Sequence, residues 1–331
     1  MSAGEPTPQN GPLCVFLDWD CTITRRHMFS VFKPPKLCKG GRFDTSFLRS
    51  IAGQEPSLYK RKEEVFHSFV RSHTGLYEAW GSGKPHHLAT LRKAVCDMQL
   101  GPGSDDTSGD TKTVGVDISL IAEDIDKFLF GSEERKNSLT QFIISLQNVG
   151  CDVSILTKGI TSCVARAISL CLPEWLDENT FSTPLRIIDY SGDVFELDHE
   201  TKTFKVVGTT VRVGTKRNQI DKFMETIICR TANLGGHSGS RSRDERIGQC
   251  KAVLIDDNFQ KEIAGLRAEE LMDTGEDSSR CPLYNMESIF TLENGDQENI
   301  TYITGGPSPN GDGLQDTDMA RILQAVTNSN H

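Results

Sequence analysis

Leu13-Cys14-Val15-Phe16-Leu17-Asp18-Trp19-Asp20-Cys21-Thr22 is the stretch that decides how this chain reads. An uninterrupted apolar run ends in a carboxylate, and a second carboxylate follows two residues on. A short continuous apolar run is what a strand buried on both faces needs. Two later runs are built the same way. Cys151-Asp152-Val153-Ser154-Ile155-Leu156 stops at Thr157, and Lys251-Ala252-Val253-Leu254-Ile255 stops at Asp256.

Helical patterns alternate with these runs. Leu139, Phe142, Ile143 and Leu146 form an apolar stripe before the second run, and Ile160, Cys163, Val164, Ala167, Ile168 and Cys171 form one directly after it. Ile220, Phe223, Met224 and Ile227 repeat the pattern before the third run. Strand–helix alternation at this spacing predicts an α/β protein with a Rossmann-like parallel sheet covered by helices. In such sheets the ligand site lies beyond the carboxyl ends of the strands. Asp18, Thr157 and Asp256 all fall there.

The rest of the chain divides around that core. Residues 1–12 are rich in Gly, Pro, Gln and Asn and are expected to be disordered. The core takes residues 13–24 and 132–304. Between them, residues 25–131 carry helical stripes (Val65, Phe66, Phe69, Val70; Leu88, Leu91, Val95; Ile118, Ile121, Ile125, Phe128) and no clear strand, which predicts a mostly helical insertion. Residues 185–213 are rich in β-formers, with a turn at Gly192-Asp193, and read as a small hairpin excursion. Gly/Ser-rich loops are expected over 101–115 and 235–248. Residues 305–331 read as a tail with a short helix around Thr317 to Val326.

Composition narrows the function classes. The formal net charge of −10 argues against a nucleic-acid or anionic-membrane partner. The ten cysteines contain no C-x-x-C pair, and they read as buried free thiols in a reducing compartment. Residues 1–12 lack a basic start and an apolar stretch, and no apolar run approaches the roughly 20 residues that span a bilayer. A cytoplasmic protein without a membrane partner is the expectation.

Four groups of residues suit phosphoryl chemistry. Asp18 can present a nucleophilic carboxylate from a strand end, and Asp20 can face the same cleft as acid and base. The plainer reading of that pair is a solvated turn. Thr157 offers a hydroxyl ahead of Lys158-Gly159 and a helix, where phosphate is readily held, or else an ordinary helix cap. Asp256 and Asp257 are adjacent acids after a buried strand, which suits a cation but also an exposed acidic turn. Lys216, before the Ile220 helix, can balance an acidic cluster, with Lys158 as its main competitor. A dianionic phosphate would be repelled by bare carboxylates. A hard divalent cation, Mg²⁺, is therefore the expected cofactor, with Asp18, Asp20, Asp256 and Asp257 as candidate ligands and Thr157, Lys158 and Lys216 as candidate phosphate contacts.

Taken in chain order, Asp18-x-Asp20-x-Thr22, then Thr157, Lys216 and Asp256-Asp257 resemble the four motifs of the haloacid-dehalogenase superfamily. The resemblance covers about residues 12–24 and 132–270. It implies Asp18 as nucleophile and Asp20 as acid and base, with the main-chain carbonyl of Asp20 also on the metal. It further implies that the insertion is a cap between the first two motifs, favouring a small phosphorylated substrate. An acid at position 20 points to the phosphatase branch. A phosphotransferase or mutase with the same intermediate, or a binding protein on the same fold, are the alternatives. Cys21 stands where relatives often carry glycine, so a differently formed turn is expected there.

Overall fold

The computed structural model describes residues 13–33, 45–82, 85–100, 118–189, 191–210, 216–223, 251–256 and 313–329. The expected N-terminal disorder, both Gly/Ser-rich loops and Asp257 lie outside the described residues. So do residues 257–312, which follow the third apolar run.

The three apolar runs are adjacent strands. β1 (Leu13–Asp18) lies between β2 (Cys151–Leu156) and β6 (Lys251–Ile255), parallel to both. β2 pairs in parallel with β3 (Arg186–Ile188). Two further strands, β4 (Asp193–Asp198) and β5 (Thr203–Thr209), continue the sheet antiparallel. The order is β5-β4-β3-β2-β1-β6. The protein is therefore α/β, with a mixed sheet of six strands rather than the purely parallel one expected. The stretch read as a separate hairpin excursion is half of that sheet. Tight connections, with Gly192 at φ +85 and Lys202 at φ +52, leave no room for a crossover and force antiparallel pairing.

Strand alternation splits the core into two faces. On one face Leu13, Val15 and Leu17 join Val153, Ile155, Ile187, Phe195, Val253 and Ile255 in one large cluster. Two helices supply part of its cover: α7 (Glu133–Asn148) through Leu139, Phe142, Ile143 and Leu146, and α8 (Thr161–Cys171) through Cys163, Val164, Ala167 and Ile168. On the other face Cys14, Phe16, Leu156, Ile188 and Leu254 meet Ile220 and Phe223 of α9 (Lys216–Phe223). The Phe16 and Phe223 rings pack edge-to-face at 5.5 Å. That packing fixes the helix whose first residue is Lys216.

Between β1 and β2 the chain forms α1 (Phe29–Phe32), α2 (Ser46–Ser50), α3 (Pro56–Ser72), α4 (Thr74–Ser82), α5 (Pro85–Cys96) and α6 (Ser119–Leu129) before reaching α7. The start of α3 is set by Pro56 in its first turn and by the Glu55 side chain, which accepts from the N–H groups of Ser57 and Leu58 at 3.1 and 3.0 Å. Phe66, Phe69 and Val70 bury its inner face, with Phe47 and Phe32 packed against them. These residues belong to the same hydrophobic cluster as the sheet, so the insertion and the sheet share one core. Helix α5 also fastens to the antiparallel strands. Arg92 Nε and Nη2 donate to both Asp193 oxygens at 3.0 and 2.5 Å, and the Leu100 N–H donates to the Lys202 carbonyl at 2.9 Å.

A last helix, α10 (Asp316–Ser329), packs on α7 through Met319, Ile322 and Val326. Just before it, the Leu314 N–H donates to the Thr22 carbonyl at 2.9 Å.

Candidate active site

Parallel pairing lines up the ends of four strands. Asp18 pairs with Leu156, Leu156 with Ile188, and Leu17 with Ile255. Asp18, Thr157, Asp189 and Asp256 therefore share the carboxyl edge of the sheet. This is where side chains from separate strands can converge on one ligand.

Three charged groups meet at that edge. Lys216 Nζ donates to Asp18 Oδ1 and to Asp256 Oδ2. The three residues are 4%, 5% and 2% exposed, respectively. Burial alone would push the Lys216 ammonium towards its neutral form, but the charges of Asp18 and Asp256 overcome it and hold the pKa above the ordinary lysine value. Burial pushes the Asp18 carboxyl well up. Lys216 opposes that rise, and Asp256 and Asp20 add to it. Two acids facing one ammonium carry a formal excess of negative charge in a place with little water, a setting that favours a further cation.

Asp20 and Cys21 lie in a wide, π-type turn, Trp19–Ile23, whose backbone is not helical at either residue. Cys21 has φ +59, the left-handed region that favours glycine, at a cost of about 1–2 kcal/mol for a residue with a Cβ. The turn is secured by Thr24, whose hydroxyl accepts from the Cys21 N–H at 3.2 Å and lies 3.0 Å from the Trp19 carbonyl. The half-buried Asp20 side chain accepts from the Met28 N–H at 2.7 Å. Its carboxylate is thus held at the entry to the helical insertion.

Thr157 leaves β2 with its N–H donating to the Ile188 carbonyl at 2.9 Å. Its hydroxyl oxygen accepts from the Gly159 N–H at 2.9 Å, which leaves the hydroxyl proton to be donated. A Cβ at Gly159 would come within 3.1 Å of that oxygen, so the turn is closely wound. Helix α8 begins only at Thr161, so Thr157 is a turn residue and not its cap. Lys158 is half-buried in the same turn. It is Lys216, and not Lys158, whose ammonium sits between Asp18 and Asp256.

The sequence-predicted residues are thus brought together in part. Asp18, Lys216 and Asp256 touch; Thr157 ends the neighbouring strand; Asp20 stands two residues beyond Asp18 with its carboxylate turned to Met28. Among the described residues no three His, Cys, Asp or Glu side chains gather at metal-binding spacing. Sequence reasoning missed Asp189. The signal was present: Ile187-Ile188-Asp189 repeats the apolar-run-then-acid pattern of Leu17-Asp18 and Ile255-Asp256.

Cys14 and Cys151 are buried near the amino ends of β1 and β2, and Cys163 and Cys171 are buried on α8. Burial pushes the Cys151 and Cys163 thiols up to about 12, which makes them poor nucleophiles. No family model, curated protein or solved structure matches the chain. No helix among the described residues is long and apolar enough to cross a membrane.

Proposed function

We propose that this chain is a magnesium-dependent phosphomonoester hydrolase of the haloacid-dehalogenase type, acting on a small phosphorylated metabolite through an aspartyl-phosphate at Asp18. The observation that carries this reading is the convergence of Asp18 and Asp256 on Lys216 at the carboxyl edge of adjacent parallel strands. An acidic pair of this kind, one member a nucleophile candidate and both able to ligate a hard cation, suits transfer of a phosphoryl group.

Asp18 and Asp256, with the main-chain carbonyl of Asp20, would hold Mg²⁺, and Asp257 follows directly in sequence. When bound, the ion supplies positive charge to the phosphate oxygens. Asp18 attacks phosphorus in line with the ester oxygen. The P–O ester bond breaks, and Asp20 gives its proton to the leaving oxygen. Asp20, now a carboxylate, takes a proton from water as that water attacks the aspartyl-phosphate. Inorganic phosphate leaves and Asp18 is restored. Lys216 keeps its proton throughout and balances charge beside the reacting carboxylate, while the Thr157 hydroxyl donates to a phosphate oxygen.

The helical insertion acts as the cap in this reading. It is tied to the acid–base residue through the Met28 N–H, so its position and the aim of Asp20 are linked. Release of phosphate from p-nitrophenyl phosphate, with and without Mg²⁺, tests the proposal. Turnover should require the ion and vanish in Asp18→Asn. Ion-dependent turnover that survives in Asp18→Asn would sink the assignment.

A further inference from the structure

Asp189 ends β3 in line with Thr157 and is buried together with its partners Thr161 and Gln219. Its Oδ2 accepts from the hydroxyl of Thr161, the first residue of α8, at 2.8 Å. Its Oδ1 accepts from the N–H and hydroxyl of Ser191 at 2.9 and 2.5 Å and from the N–H of Asp193 at 3.2 Å. Its main-chain carbonyl accepts from Gln219 Nε2 at 2.6 Å. Gln219 lies one turn along the helix that opens with Lys216. Beyond Asp193 stands Arg92 of α5, paired to it through two bonds.

One residue therefore joins three pieces: the turn that carries Thr157, the helix that carries Lys216, and the insertion. We infer that Asp189 is a positioning residue of the candidate active site, setting Thr157 and Lys216 relative to each other through Thr161 and Gln219. The inference rests on the phosphohydrolase reading. It concerns no group that touches the substrate. Geometry over three elements is what gives it force, since a shift of a fraction of an ångström between a phosphate donor and its neighbouring cation is felt in the transition state more than in binding. Burial also pushes the Asp189 carboxyl up to about 6, against the hydrogen bonds from Ser191 and Thr161.

Three variants separate the possibilities. Asp189→Ala removes the side-chain ties. Asp189→Asn keeps them, because the amide oxygen can accept from Ser191 and Asp193 while the amide nitrogen donates to the Thr161 oxygen. Gln219→Ala cuts only the tie to the lysine helix. Hydrogen exchange of residues 157–161 and 216–223 is measured alongside kcat and KM for p-nitrophenyl phosphate. In Asp189→Ala residues 157–161 should exchange faster while 216–223, still tied to the main-chain carbonyl, exchange as before, with kcat down roughly 30-fold and KM changed less than about threefold. Asp189→Asn should return kcat to within about threefold of wild type. Gln219→Ala should loosen 216–223 alone and lower kcat about tenfold.

Wild-type kcat in Asp189→Ala, or unchanged exchange of residues 157–161 in that variant, would overturn the inference. If Asp189→Ala cannot be purified, unchanged kcat in Gln219→Ala overturns it instead. A wild-type protein without Asp18-dependent turnover, whose Asp189→Ala variant still loosens residues 157–161 and whose Gln219→Ala variant still loosens 216–223, would remove the phosphohydrolase reading and leave the ties themselves demonstrated.

Discussion

Two groups in this sheet each set one cation between two acids, and they are built differently. Towards the amino ends of the strands, Arg186 on β3 reaches Asp152 on β2 through Nη1 at 3.0 and 2.7 Å and Glu196 on β4 through Nε at 3.0 Å. Those side chains are 14%, 20% and 16% exposed. At the carboxyl edge Lys216, Asp18 and Asp256 are 4%, 7% and 2% exposed. The guanidinium offers a planar fork with fixed directions and keeps some water. The ammonium is a point charge in a nearly dry place, where desolvation of three ions weighs heavily against their attraction. The first group is a cross-strand brace. The second maintains a charge arrangement that packing alone does not require, as expected of a site kept for chemistry.

The contrast can be broken or sharpened by substitution. The largest effect falls on turnover: Asp18→Asn should lower magnesium-dependent phosphate release roughly 10³-fold or more, and a smaller loss would remove Asp18 from the nucleophile's role. Next comes Lys216→Met, which leaves two buried carboxylates facing each other. Urea unfolding at neutral pH in EDTA should show a loss of about 3–5 kcal/mol, and a loss under about 1 kcal/mol would mean that the ammonium is not their main counter-charge.

The third effect is pH-dependent. Burial raises Asp189 from the ordinary 3.8 to about 6, so the folded chain holds that proton more tightly than the unfolded chain does. The stabilisation is therefore fully present below the unfolded value, and it is lost as pH rises through about 6, amounting to about 3 kcal/mol for a shift of this size. Asp189→Asn should flatten that fall and be the more stable protein above pH 6. Parallel stability–pH curves for the two proteins between pH 4 and 7.5 would contradict it. The smallest effect is Arg186→Met, expected to cost under about 2 kcal/mol and to leave kcat unchanged. If it matched Lys216→Met in stability and also removed turnover, the distinction between brace and site would fail.

Much of this arrangement was legible in the sequence because burial on both faces leaves a strong mark. β1 is a continuous apolar run up to Asp18, β2 and β6 are apolar apart from Asp152, Ser154 and Lys251, and the three side by side put Asp18, Thr157 and Asp256 on one edge. Lys216 was legible as a charge-balancing candidate because it opens the helix preceding the third run. β3 was harder. Arg186-Ile187-Ile188 is too short for any periodicity to show, and its membership of the sheet is decided by pairing with β2 rather than by local preference. That is why residues 185–213 read as an excursion, and why Asp189 passed unnoticed. The left-handed backbone of Cys21 has no sign in the residue itself, since a cysteine does not ordinarily mark that region. The bond from Met28 to Asp20 depends on how the insertion is entered, which side-chain spacing does not encode.

The strand that carries Asp18 is also made before either of its neighbours. β1 takes its two edges from residues 151–156 and 251–255. At ordinary rates of synthesis of about 5–20 residues per second, Asp18 would precede Asp256 by roughly ten to fifty seconds. Until residues 151–156 emerge both hydrogen-bonding edges of this apolar run are open, and until residues 251–255 emerge one of them must still be kept from pairing with other chains. Recovery of this protein from denaturant should therefore be slow and sensitive to concentration, and its yield in cells should depend on chaperones that shelter nascent apolar segments.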